Sequence, residues 1–469
     1  MTGNGVAGSA PIPAPAAAAV ADPPPAVTAA PARTLLRLVR WLAYGEGEHP
    51  RWRMAILAAG FLAASALLAP ILYSTNNDLD GFRWPMAEMA LAGKPLLVYS
   101  VHVGPWRSDN GPLSLVPLTA VVAVINRLGL QDQLALRGEI TVVAFGIFTL
   151  LMAGEGARAI EAPSAQPARR LVVVLLLLAS PPLWIGMMGY GHVELPLEVW
   201  LALLSIRLAR RERFASAGIC FGLAALTRTT LLLAAAPLIL PLLRDRRPRA
   251  AAVLCATAAA TVTAGLLPFL IADSGDVLQS LVGYRSGMPT AGGSLWLLFQ
   301  GAPWAGFVQH ADWLLFGGAG LLLTALALWR RPDRPVPAHR QYALLTVSLV
   351  CLPLFAKSVW PYYLVEAYAF SAIWWLASPG GVVSWRLAGP LLLAADAVLL
   401  VLEPPFATGP AWVFGLASSL ALAVVIGVVL WHLRAPLDEP TNRRRPSGRH
   451  RRSLPVTLNA RSTGARGGT

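Results

Sequence analysis

The sequence predicts an all-α polytopic membrane protein: a bundle of about twelve transmembrane helices, with a large first extracytoplasmic loop that carries juxtamembrane helices. Three observations predict it. The 469 residues are 56% hydrophobic and only 13% charged, with a mean hydropathy of +0.57. A soluble domain carries about a quarter charged residues. Apolar runs of roughly membrane-spanning length recur along the chain, and they are continuous, whereas a membrane β-barrel alternates apolar and polar residues. Arginines cluster in short blocks between the runs, the pattern that marks the cytoplasmic side of a helical membrane protein. The net charge of +14 therefore has a topological source. No separate soluble basic domain remains to bind nucleic acid.

Residues 1–50 are rich in Ala and Pro and read as a disordered cytoplasmic N-terminus. Residues 51–433 form the transmembrane domain, and 434–469 a disordered basic tail on the same side. Spans are expected at roughly 54–73, 139–153, 171–188, 195–209, 215–228, 230–243, 251–272, 312–329, 341–356, 362–378, 387–402 and 411–433. The first is an uncleaved span held by Arg33, Arg37, Arg40, Arg51 and Arg53. The run Leu113 to Ile125 is short and contains Pro117, so it is expected to be interfacial or re-entrant. Omitting it from the spans places every arginine block inside: Arg169/Arg170, Arg207 to Arg213, Arg244 to Arg249 and Arg330 to Arg340. Residues 74–138 then form one large outer loop, and a second runs over 273–311. Both termini are cytoplasmic, and the membrane is expected to be the plasma membrane.

Residues 215–243 lie between two inside blocks, so they must form a hairpin of two short helices. Its turn, Leu226-Thr-Arg-Thr-Thr230, faces outward and carries Arg228. An arginine at membrane depth costs roughly 2.5–3.5 kcal/mol on insertion scales. It therefore requires an anionic partner.

Chemistry concentrates in the first outer loop. The first span ends in Tyr73-Ser-Thr-Asn-Asn-Asp-Leu-Asp80-Gly. Asp78 or Asp80 suits a general base that takes a proton from an attacking hydroxyl; the same acids also suit a solvated helix end. Arg83, Trp84, Glu88, Lys94, Tyr99, His102, Trp106, Arg107 and Asp109 follow, mixing aromatic and polar groups. That mixture fits a sugar face, and equally a headgroup belt. The turn Gly189-Tyr-Gly-His-Val-Glu194 places His192 and Glu194 at the outer end of a span. They suit hydroxyl binding, acid/base assistance or a helix-start cap. With no third ligand a metal site lacks support, and no cofactor is expected. Arg228 suits a phosphate. Tyr284, Arg285, Gly293 and Trp296 suit an acceptor or lipid groove, Lys357, Tyr362, Tyr363 and Glu366 lie at another outer helix end, and both groups read as structural or interfacial rather than catalytic. Cys220, Cys255 and Cys351 lie in apolar runs and read as packing residues. No P-loop, G-x-S-x-G or H-E-x-x-H pattern is present.

The chain resembles the GT-C superfamily of integral-membrane glycosyltransferases, and most nearly glycosyltransferase family 87, the actinobacterial polyprenyl-phosphate-mannose-dependent mannosyltransferase-like proteins. Three stretches carry the resemblance: Asp80-Gly-Phe-Arg-Trp84 running to Ala92-Gly-Lys-Pro-Leu-Leu-Val-Tyr99, Gly191-His-Val-Glu194 with Pro196, and Ala217-Gly-Ile-Cys-Phe-Gly-Leu-Ala-Ala-Leu-Thr-Arg228. In the last, Arg stands where the family pattern has Lys. The resemblance implies a GT-C-like bundle and inverting transfer of a sugar, mannose first, from a polyprenyl-phosphate donor to a cell-envelope glycan or lipid acceptor outside the membrane. It implies Asp80, or Asp78, as base, with Asp80 favoured by its spacing to Trp84. Arg228, His192, Glu194, Trp84, Lys94, Tyr99 and Arg107 would bind substrate. A twelve-span transporter, or a non-catalytic subunit of an envelope-assembly complex, remains the alternative reading.

Overall fold

A computed structural model describes residues 50–74, 77–104, 106–160, 167–329, 336–378 and 411–434. Almost all of them are helical. Helix α1 (Pro50–Leu72) leads into the segment before α4 (Leu134–Arg158), which contains α2 (Trp84–Leu91) and α3 (Leu115–Arg127). Next come α5 (Pro167–Leu178), α6 (Pro181–Trp184), α7 (Leu195–Arg210), α8 (Phe214–Thr227), α9 (Ala235–Arg244) and α10 (Pro248–Leu278). The short α11 (Tyr284–Gly287) precedes α12 (Ala305–Trp329), α13 (Ala338–Phe355), α14 (Val365–Ala377) and α15 (Ala411–Arg434). These helices cover eleven of the twelve expected spans, and the remaining one, 387–402, lies outside the described residues.

Among the described residues, four stretches are long and apolar enough to cross a membrane by themselves: Leu134–Arg158, Arg169–Gly189, Pro248–Gly287 and Ala305–Trp329. Others are shorter because the backbone breaks where the site lies. The 215–243 hairpin breaks at Arg228, which adopts extended angles of φ −153° and ψ 131°. The expected second loop is shorter than 273–311. The helix of α10 continues through a π-turn into α11, with a kink at Asp273, and α12 bends at Ala311. Helix satisfies its own backbone groups, so it extends through a poorly hydrated interface wherever the chain permits.

The core is built on α13 and α14. Residues Gln341 to Leu354 and Val365 to Leu376 are buried throughout, because other helices surround both. Helices α12, α15 and α5 pack around this pair. On one flank α7, α8 and α10 form a second layer. Gly218 and Gly222 allow it: a Cβ at Gly218 would fall 2.3 Å from the Leu254 carbonyl oxygen, and one at Gly222 would fall 2.7 Å from Thr261 Cβ. Small residues four apart let two helix backbones approach in a membrane. In the first loop, α3 buries Leu115, Leu118, Val122 and Ile125 along one face and packs on α2.

Basic residues gather at one end of α7. Arg207 pairs there with Glu155, which Arg158 also meets at 3.0 Å. Arg247 reaches Glu212 at 3.0 Å in the next turn. The opposite end of α7 begins beside His192 and Glu194. Its 16 residues separate the two ends by about 24 Å at 1.5 Å per residue.

Candidate active site

The site begins where α1 ends. A π-turn over Leu79–Arg83 replaces a regular helical start and turns Asp78 and Arg83 toward the 185–194 segment. Two contacts fix its position. The Asp78 N–H donates to the Tyr190 carbonyl at 3.1 Å, and Gly191, at φ +73°, lies against Leu79. A Cβ at Gly191 would sit 2.4 Å from the Leu79 nitrogen, so only glycine permits this approach.

Arg83 is the centre of a buried polar cluster. Its guanidinium forks onto the Glu194 carboxylate, with one N–H donated at 2.7 Å to Oε1 and the other nitrogen pairing with Oε2. The nitrogen that bonds Oε1 also lies 2.7 Å from His192 Nδ1. Nδ1 also lies 3.0 Å from Glu194 Oε1, so this ring nitrogen is held by both members of the Arg83–Glu194 pair. Nε2 lies 3.2 Å from Asp78 Oδ2. The His192 ring stacks on Tyr362 with centroids 3.9 Å apart. Burial, reinforced by the charges of Arg83 and Arg228, pushes His192 well below its ordinary pKa, so the ring is neutral at neutral pH. Burial lowers Arg83 to about 10, which still leaves it charged.

Asp78 stands at the edge of this cluster. Its side chain is 43% exposed, yet it is enclosed deeply enough that burial raises its pKa, against the opposing charges of Arg83 and Arg228. The carboxylate thus opens onto a recess within the protein. Asp80, two residues on, faces the other way. It accepts from Tyr73 Oη at 2.7 Å and from Arg137 at 3.0 and 2.6 Å, and its side chain is 8% exposed. Arg137 in turn covers the Trp84 ring at 4.6 Å, and Trp84 donates to Glu88.

Arg228 lies on the far side of Tyr362. Its guanidinium carbon is 5.0 Å from that ring's centre and 5.3 Å from that of Tyr363. Its anionic partner is Glu366, at 3.7 Å, which also accepts from Thr230. Glu198, fully buried, acts on the same group. The tyrosines and Glu366, which read from sequence as structural or interfacial, are buried between His192 and Arg228.

A cavity of about 860 Å³ adjoins Arg228. Leu232, Leu233, Ile239, Leu240, Leu281, Val282, Trp313 and Phe316 make its walls apolar. Its polar rim comprises Asp109, Thr229, Thr230, Arg285, Ser286, His310 and Asp312. Arg285 pairs with Asp312 at 3.0 Å, and Asp312 also accepts from the Lys357 backbone.

The structure brings Asp78, His192, Glu194 and Arg228 around Tyr362, and sets Asp80 with Trp84 in a neighbouring cluster. Tyr99 donates to the Asn110 carbonyl and supports the loop behind the cavity. Arg107 pairs with Asp276 at 2.7 Å, and Lys94 is exposed. Among the described residues no group of three or more His, Cys, Asp or Glu is placed to hold a metal ion. Sequence reading gave Arg83 no distinct role, because nothing in Gly-Phe-Arg-Trp separates it from an interfacial basic residue. Glu366 carried a signal: a carboxylate inside an apolar run asks for a cation.

The model of glycosyltransferase family 87 matches residues 112–354. The chain belongs to glycosyltransferase family 87. No curated protein matches it. The family 87 match includes His192, Glu194, Arg228 and Arg285 and begins after Asp78 and Asp109. The resemblance drawn from the sequence motifs therefore holds, and the chain is a membrane glycosyltransferase by family.

Proposed function

We propose that this glycosyltransferase moves a sugar, mannose first among candidates, from a polyprenyl-phosphate donor to a cell-envelope glycan or lipid acceptor. The supporting observation is the junction of two environments: a buried cluster holding a carboxylate, against an apolar cavity whose polar rim carries Arg285 and lies next to Arg228. A lipid-phosphate sugar has the same division. Its chain suits the apolar walls, its phosphate suits Arg285 at the rim and the neighbouring Arg228, and its sugar falls between cavity and carboxylate.

The base in this reading is Asp78. Asp80, favoured by motif spacing, is engaged by Arg137 and Tyr73. Asp78 has His192 against Oδ2, which leaves Oδ1 directed to an acceptor hydroxyl. Asp78 takes the hydroxyl proton as the oxygen attacks the anomeric carbon. The bond from that carbon to the phosphate oxygen breaks, and polyprenyl phosphate leaves with the electron pair. Attack opposite the leaving group inverts the configuration. Arg228 and Arg285 supply positive potential where the phosphate charge develops.

The basic ends of α4 and α7 fit a cytoplasmic face. The site, at the other end of α7, then lies extracytoplasmic, at the plasma membrane. The test is transfer of labelled mannose from polyprenyl-phosphomannose in membranes holding wild type, Asp78→Asn or Asp80→Asn. Loss of a base costs roughly 10²–10⁴-fold in rate, and that loss is expected for Asp78→Asn. Wild-type rates in Asp78→Asn would remove the base assignment.

A further inference from the structure

Asp109 has no role in the reaction as described, yet its placement is unusual. It lines the apolar cavity beside Thr229, Thr230 and Arg285. It lies near enough to both the buried cluster and this cavity for its charge to act on Arg83, His192 and Tyr362 and on Tyr284, Arg285 and Tyr363. Among the described residues its carboxylate has no hydrogen bond and no ion pair.

The backbone around Asp109 is rigid. Asn110 forms a β-bridge with Arg228 at the helix break, and Tyr99 donates to the Asn110 carbonyl at 3.0 Å. The Gly111 N–H donates to the Thr227 carbonyl at 3.2 Å. A Cβ at Gly111 would fall 1.9 Å from the Leu226 carbonyl oxygen. The loop is therefore clamped to the Arg228 break, and the carboxylate is presented at a fixed place.

We infer that Asp109 reads the donor sugar, accepting hydrogen bonds from hydroxyls of the transferred ring. This rests on the proposed transferase reading and adds a specificity residue to it. A partnerless carboxylate beside a polar rim wants donors, and an unreacted sugar offers hydroxyls. A phosphate bound directly at that carboxylate would be repelled, so the phosphate belongs at Arg285 and Arg228 and the ring hydroxyls at Asp109. The base role does not fit either, because inversion requires base and leaving phosphate on opposite faces of the anomeric carbon. Asp109 lies on the cavity side, with the phosphate, whereas Asp78 lies with His192.

The test uses full-length protein in lipid nanodiscs, with polyprenyl-phosphomannose and its 2-, 3-, 4- and 6-deoxy analogues as donors. For wild type, kcat/KM is expected to fall at least tenfold for one or two of the deoxy donors. In Asp109→Ala the parent donor should fall by a similar factor, while the penalty for those deoxy donors largely disappears. Asp109→Asn, nearly the same shape, retains the loop and should show a reduced penalty. Thermal midpoints of both variants check folding, and the ratio of donors within one variant is independent of the folded fraction. Unchanged discrimination in both variants overturns the Asp109 assignment alone. If wild type transfers from none of the polyprenyl-phosphate mannose, glucose or arabinose donors, the transferase reading fails first and takes the assignment with it.

Discussion

The pair between Arg83 and Glu194 offers a direct separation of folding from chemistry. Both side chains are buried, at 3% and 0% exposure, and one of their hydrogen bonds is 2.7 Å long. At that distance the attraction is about 6 kcal/mol with an effective dielectric constant of about 20. Desolvation costs several kcal/mol for each ion, so the net value of the pair is small. Breaking it is different. Glu194→Leu leaves a buried guanidinium without its counter-ion, and Arg83→Met leaves a buried carboxylate; each is expected to cost about 3–5 kcal/mol. The double variant removes both charges and should lie within about 1–2 kcal/mol of wild type, a strongly non-additive result. Activity should not return with stability, because His192 loses both polar groups that hold its Nδ1 side and set the ring against Asp78. Melting can be followed in detergent with a thiol-reactive dye in a Cys220→Ser, Cys255→Ser background, where the dye reports exposure of Cys351, fully buried in the fold. Additive single costs would refute the reasoning about the pair. A stable double variant with wild-type transfer would refute the role of His192 orientation.

Further predictions concern neighbouring groups. The acidic limb of the rate profile should lie above the ordinary carboxylate range, because burial raises Asp78 and its ionised form is the base; a limb near pH 4 would contradict this. The same groups give opposite stability slopes. Between the lowered pKa of His192 and 6.5, the unfolded chain binds more protons, so stability rises with pH. Between 3.8 and the raised pKa of Asp78, the folded chain binds more, so stability falls as pH rises, which denaturant titration at stepped pH can measure. Asp80→Asn should lower stability by about 1–3 kcal/mol through the Arg137 contact while leaving the rate profile's pH midpoint in place; a moved midpoint would return the base to Asp80. Gly111→Ala should destabilise the protein by about 1–3 kcal/mol or more, since its Cβ meets backbone that cannot move aside, with transfer falling alongside; a neutral effect would show that the clamp on the 109–111 loop is loose. Arg228→Met, which strands Glu366, should cost about 3–5 kcal/mol, whereas Arg228→Lys keeps a cation and should cost less, a ranking that melting of the two variants checks.

Much of the site was legible as residue types and little of it as partners. Arg228 announced its need for an anion because it lies at membrane depth, but Glu366 is 138 positions away and several other carboxylates competed for the role. His192 and Glu194 were visible as polar groups at a helix start. Their fork with Arg83 was not, since a π-turn and the close passage of Gly191 set that register. The ranking of the two aspartates turned on Arg137, which the sequence offers only as a basic residue after Leu134-Ala-Leu136.

The sequence by itself determined the class of molecule: continuous apolar runs must become helices, because a backbone out of water has to satisfy its own hydrogen bonds. It also determined where the basic blocks lie between the runs, since isolated charges are expelled to the ends of the runs or need partners. Only the tertiary structure decided which charges meet. Ion pairs and cavities depend on distances between segments far apart in sequence, and a residue's composition and spacing carry no record of them. Asp78 opens to a recess and Asp80 closes on an arginine for that reason, although they stand two residues apart.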